Sequence, residues 1–281
     1  MPSLPLYPAW KGKLMVKTHQ GKSQHTERKE MEIKGVTSMR FNQFKSQYFK
    51  YKEVLCADVF CGTGRNLVDG EIVDGSPIRM IDGWKTANNQ KIKTKFWFSD
   101  IRQSACDTLH KIIKSRYDYE MPIYKMSAAD AVNELGNYLA KNPQTYLCLT
   151  LDPNGPKDFP KHELQDMLSA FAKTVDVNTY ISPGAMNRQL QARNKAGYQL
   201  SSWLHGIENF DTGLVRDLIS NGRFGWIRKP IVGDAWRWTM IPTFGIFKPR
   251  NAWEKQGFVS LKSQEAKDVI KFYCGELYNA K

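Results

Sequence analysis

The chain has 281 residues, with 41 Lys and Arg against 28 Asp and Glu, a net charge of +13, and 41% hydrophobic residues. That is enough apolar material for one sizeable domain with an appendage. No run of roughly 18 apolar residues points to a membrane span, and the first residues lack the apolar stretch of a secretory signal.

About half of the net charge, +7, lies in residues 1–50, where ten Lys and Arg face three Glu. A basic surface attracts polyanions, and nucleic acid is the commonest large one. Thr18–Glu30 reads as a mobile basic arm, and Met39–Lys52, rich in Phe, Tyr and Lys, as a docking segment. The expected organisation is a basic arm and docking segment over 1–50, a main domain over 51–250 and a helical extension over 251–281.

From Val54 strands and helices alternate. Val54–Phe60 is a short apolar run ending in a Gly-rich turn, as in a buried parallel strand. An insert, Asn66–Gly75, then postpones the first helix to Ser76-Pro77, where Ser suits the N-cap and Pro the first helical position. Lys95–Ser99 is the next strand, closed by Asp100, and Gln103–Ser115 has helical apolar spacing. Pro122–Met126 is a weaker strand, followed by a helix from about Ala128 to Ala140. Tyr146–Leu151 is a strong strand, His162–Lys173 an amphipathic helix and Val177–Ile181 a further strand. This βα alternation predicts an α/β, Rossmann-like, mostly parallel sheet. Beyond Pro183, Ala185–Asn194 and Gly213–Ser220 read as helical. Phe224–Ile231 and Trp236–Phe247 read as a C-terminal antiparallel hairpin around Gly233-Asp234.

The five cysteines are odd in number and form no Cys-x-x-Cys pair. Three of them sit in apolar, strand-like contexts, which fits a reducing, intracellular and cytoplasmic setting. No Cys and His lie at zinc-ligand spacing, so no metal is expected.

The residues suited to chemistry lie at strand ends. In Asp58-Val-Phe-Cys-Gly-Thr-Gly64, glycines directly after a buried strand let a ligand approach the backbone. Asp58 can accept a hydrogen bond from the amino group of a methionine moiety, and Asp100 can hold two ribose hydroxyls. Asp130, in Ser127-Ala-Ala-Asp130, can accept from an adenine amino group; capping of the next helix by Ser127 or Asp130 reads equally well. Asp152-Pro153-Asn154-Gly155 ends the fourth strand. There a carboxylate and a carbonyl can orient an exocyclic amine for in-line transfer, although the same four residues also make a strong turn.

Asp58–Gly64, Asp100, Asp130 and Asp152–Gly155 resemble motifs I to IV of class I S-adenosylmethionine (SAM)-dependent methyltransferases. A closer similarity is to the three-Cys-motif partner family (TcmP), carried by Gly62-Thr-Gly-Arg65, Gly70-Glu71, Gly75-Ser76-Pro77 and Asp152-Pro-Asn-Gly-Pro156. The resemblance implies the methyltransferase fold and SAM as cofactor, held by Asp58, Phe60, Gly62, Gly64, Asp100, Ile101 and Asp130. Asp152, Pro153 and Asn154 would face the acceptor. Amino-methyltransferases of DNA adenine usually show Asp-Pro-Pro-Tyr, whose aromatic stacks on a flipped base; here Asn154 and Gly155 stand in those places. Arg188, Arg193, Arg228, Lys229, Trp236 and Arg237, cations among flat rings, suit phosphate and base contacts.

Three functions stay open: N-methylation of a base in DNA or RNA, a non-catalytic SAM-binding partner in a nucleic-acid-processing or defence complex, and a SAM enzyme with another acceptor.

Overall fold

A computed structural model describes residues 24–45, 50–87, 92–117, 121–153, 158–181, 221–229, 239–245 and 252–269. In chain order these form α1 (Gln24–Phe44), β1 (Glu53–Asp58), β2 (Arg65–Val68), β3 (Glu71–Asp74), α2 (Ser76–Ala87), β4 (Lys93–Asp100) and α3 (Gln103–Tyr117). There follow β5 (Ile123–Lys125), α4 (Ala128–Lys141), β6 (Thr145–Leu151), α5 (Lys161–Phe171), β7 (Val175–Ile181), β8 (Phe224–Arg228), β9 (Thr239–Phe244), α6 (Ala252–Lys255) and β10 (Phe258–Ser260). None of the described helices is long and apolar enough to cross a membrane.

Eight of the strands make one sheet in the order β10-β8-β9-β7-β6-β1-β4-β5. β5, β4, β1, β6 and β7 run parallel. β9 enters antiparallel between β7 and β8, and β10 pairs antiparallel with β8. The molecule is therefore a mixed α/β fold with a mostly parallel, Rossmann-like sheet and antiparallel strands at its C-terminal end. The chain leaves β1 toward β4 on one side and later returns to β6 on the other. That makes the C-terminal end of β1 a topological switch point, where open α/β sheets bind ligands.

Every residue of β1 and β6 is buried, as helices on both faces of a parallel sheet require. The pleat divides the strands between two cores. Leu55, Ala57, Leu147 and Leu149 pack with α4 and α5, while Val54, Cys56, Tyr146 and Cys148 pack with α1, α2 and α3. α4 is set by its cap: the Ser127 hydroxyl accepts from the Asp130 N–H at 3.1 Å and donates to Asp130 Oδ2 at 2.6 Å.

Two expectations change, and the insert, which does postpone the first helix to Ser76, gains a structure. The basic segment does not form a free arm throughout: from Gln24 it is helical, and Ile33, Val36, Phe41 and Phe44 are buried in the second core. Their spacing marks one helix face, which the density of charge concealed. The α1–α2 crossing is close at Gly83, where an added Cβ would lie 2.6 Å from the Lys34 carbonyl. The insert after the first strand is a β2–β3 hairpin whose Asp69 and Gly70 have φ of 49° and 88°, the two left-handed residues of a type I′ turn. The C-terminal extension, expected to be helical, also supplies the edge strand β10. The expected helices 185–194 and 213–220 and the Gly233-Asp234 turn lie outside the described residues.

Candidate active site

The turn after β1 brings three strand ends together. Gly62 and Gly64 have φ of +56° and +71°, a region that only glycine enters freely. A Cβ at Gly64 would lie 2.4 Å from Leu109 Cδ1. The Gly75 N–H donates to the Gly64 carbonyl at 2.8 Å, closing the hairpin back onto the turn. From the next strand, Asp100 Oδ2 accepts the Gly62 N–H at 3.1 Å.

Asp58 is fully buried, and its Oδ1 accepts the Phe60 N–H at 2.9 Å. Oδ2 is buried without a hydrogen-bond partner among the described residues. The carboxyl is pushed up to about 6, chiefly by desolvation and also by the charge of Asp152; the Ser76 hydroxyl, the Phe60 N–H and Lys29 oppose the rise. A buried carboxylate oxygen without a partner of its own is costly. It fits a ligand that brings an ammonium group, such as the methionine end of SAM.

Asp100 lies at the end of β4 and is almost fully buried. Besides Gly62 it accepts from the Arg102 backbone N–H at 2.9 Å, from Arg102 Nε at 3.0 Å and from Nη2 at 3.2 Å. Ile101 beside it is 69% exposed, a bare apolar side chain at the strand edge. Phe60 is half-buried against the first core. Asp130 is exposed on the first turn of α4 and engaged in the Ser127 cap.

Asp152, just past β6, is half-buried, and its Oδ2 pairs with the Lys29 ammonium arriving from α1. Lys29 Nζ also stands 3.9 Å from Glu30 Oε1 and 5.7 Å from the centre of the Tyr180 ring. Burial works against its charge, but Asp152, Glu30 and Asp58 outweigh that and hold the lysine protonated well above its ordinary range. Tyr180, at the end of β7, is buried, and its phenol is driven well up by desolvation and by Glu32, Glu30, Asp152 and Asp58. Among the described residues, Glu30 and Asp58 thus add negative charge around the Lys29–Asp152 pair.

Pro153 follows Asp152 and is half-buried; Asn154, Arg188, Arg193, Trp236 and Arg237 lie outside the described residues. Arg228 is 13% exposed, pairs with Glu32 at 3.1 Å and donates to the Gln256 carbonyl. It links α1 to β8 and the β10 edge. Lys229 forms an exposed pair with Glu265. Cys61, beside the glycine turn, is buried, and its thiol is pushed well up by desolvation, Asp58 and Asp100, the reverse of an activated nucleophile.

Sequence reasoning passed over Lys29, Glu30, Glu32 and Tyr180. The first three sit in the charged run Glu27–Glu32, where only the helical spacing of Ile33, Val36 and Phe41 marks a buried face. Tyr180 lies in a recognised strand, but no local pattern marks its end as facing α1.

No protein-family model and no curated protein matches the chain. Among solved structures it is similar to protein LPL1258 from Legionella pneumophila, at 10% identity over 90% of this chain and 94% of that one, TM-score 0.46. It is similar to an rRNA methylase from Streptococcus thermophilus at 7% identity, over 75% and 95% of the chains, TM-score 0.39. A third is the plantazolicin methyltransferase BamL in complex with SAH, at 11% identity over 90% and 80%, TM-score 0.41. At such values the likeness carries no function across, which rests on the strand-end residues.

Proposed function

We propose that this chain is a SAM-dependent methyltransferase that transfers a methyl group to an exocyclic amine of a base in DNA or RNA. One observation carries the reading. The ends of β1, β4 and β6 meet at the switch point and bring a buried Asp58 with one unpartnered oxygen, two left-handed glycines, Asp100 and Asp152 to one edge.

The residues divide the cofactor between them. Asp58 Oδ2 takes the methionine ammonium, and Gly62 and Gly64 let the backbone come close. Asp100, already oriented by the Gly62 N–H, accepts from the ribose hydroxyls, with Arg102 restraining its carboxylate from outside. Ile101, exposed at the strand edge, would cover one face of the adenine, and Asp130 would accept from its amino group. SAM supplies an electrophilic methyl group on a sulfonium.

Asp152 would accept an N–H of the acceptor amine and thereby turn the nitrogen lone pair toward the methyl carbon, with Asn154 proposed as a second acceptor-facing residue. Catalysis on this arrangement is mainly positioning. The +13 charge of the chain supports a polyanionic substrate, with Arg188, Arg193, Lys229, Trp236 and Arg237 as its contacts; Arg228 is committed to Glu32 and the Gln256 carbonyl.

A second reading has its own observation. Glu30 and Asp58 add negative charge around the Lys29–Asp152 pair, which suits a cationic amine better than a phosphate-flanked base. Radiolabelled SAM offered with separate DNA, RNA, protein and small-amine pools decides between them. Label in DNA or RNA supports the first reading, label in small amines alone supports the second, and label in none contradicts both.

A further inference from the structure

Lys29, paired with Asp152, lies where the reading above puts the acceptor. Its ammonium donates to Asp152, the carboxylate assigned to receive an amine N–H. Two features distinguish this contact from a surface ion pair. Lys29 is 12% exposed and is delivered by a helix whose place is fixed by the close Gly83 crossing. A second carboxylate, Glu30, stands 3.9 Å from Nζ and is itself held by Asn66 Nδ2 at 3.1 Å, so it is a fixed alternative partner.

We infer that Lys29 is the resident occupant of an N–H donor subsite on Asp152, and that a substrate amine takes its place while the ammonium moves onto Glu30. The inference rests on the proposed site. An ammonium and an exocyclic amine both offer N–H donors to a carboxylate, the first as a cation and the second as a neutral group. Until substrate arrives, the lysine keeps a half-buried Asp152 paired, so the carboxylate is not left as an uncompensated charge. Once substrate arrives, Glu30 keeps the displaced lysine paired. Lys29 is then a positioning residue. It restricts entry to groups that can compete for Asp152 through an N–H.

The test uses the full chain and ethylammonium as the probe, with tetramethylammonium, which has no N–H, at equal ionic strength as control. Thermal unfolding is followed for the wild type, Lys29→Ala and Lys29→Ala/Asp152→Asn. At about ten times its Kd, ethylammonium should raise the Tm of Lys29→Ala by about 3 °C over the control. The wild type and the double variant should show no difference between the two salts. Lys29→Ser, which keeps a polar stub, serves if the alanine variant does not fold. No shift in either folded single variant, or an equal shift after Asp152→Asn, overturns the inference. A parallel calorimetric titration of wild type with SAM separates the two levels. SAM binding without an ethylammonium effect overturns the role of Lys29 alone, whereas absence of SAM binding overturns the site reading beneath it.

Discussion

The Gly62 N–H donates to Asp100 Oδ2 at 3.1 Å, tying the turn after β1 to the end of β4. One carboxylate thus orders the glycine turn and, in the proposed function, meets the ribose. Asp100→Ala removes both roles. A hydrogen bond to a charged group contributes about 1.5–3 kcal/mol, so SAM affinity should fall at least about tenfold. Calorimetry reads this directly, and an unchanged Kd would remove Asp100 from the site.

Asp58 predicts a pH dependence. Its folded value is about 6 against an ordinary 3.8. At low pH the carboxyl is protonated both folded and unfolded and costs nothing. As pH rises past the ordinary value the unfolded chain ionises first, so stability falls, and the full penalty is present above about 6. The shift corresponds to about 3 kcal/mol. Asp58→Asn should therefore stabilise the unliganded protein at pH near 8 by up to about 2 kcal/mol while weakening SAM roughly tenfold or more. In the wild type, SAM affinity should decline as pH drops through about 6, because protonated Asp58 no longer attracts the ammonium. Denaturant melts and titrations at several pH values test both halves.

The sheet was legible because its strands are unusually apolar. Glu53–Asp58 and Thr145–Leu151 are buried on both faces, and such runs read as parallel strands without tertiary information. The strand-end acids followed from that register, and Ser76-Pro77 and Ser127 marked helix starts by their chemistry. What stayed hidden depends on contacts distant in sequence. Lys29 meets Asp152 across 123 residues, and Arg228 meets Glu32 only once β8 has been placed beside the α1 face. The charged residues of α1 look solvated in sequence because their partners are not neighbours. β10, three residues long, is too short for periodicity to reveal.

Arg40 offers the clearest stability prediction. It pairs with buried Asp176, which also accepts from the Tyr146 hydroxyl at 2.5 Å and the Gly245 N–H at 3.1 Å. Arg40→Met leaves a buried carboxylate without its cation, a loss of about 3–5 kcal/mol. The expected result is a lowered denaturation midpoint. Stability within about 0.5 kcal/mol of wild type would mean that α1 is not docked as described.

Gly64→Ala should be destabilising by about 1–3 kcal/mol, because φ is +71° and the new Cβ would lie 2.4 Å from Leu109 Cδ1. SAM affinity should fall with it, since the turn must shift. A fully stable variant with normal affinity would show that the turn does not touch the cofactor.

The most direct measurement is calorimetric titration of the full chain with SAM, with NAD and ATP as comparison ligands. The account predicts one saturable SAM site per chain, weakened by Asp58→Asn and Asp100→Ala but changed no more than a few-fold by Asp152→Ala, with NAD and ATP far weaker. No SAM binding, or SAM binding indifferent to both Asp58 and Asp100, would contradict it.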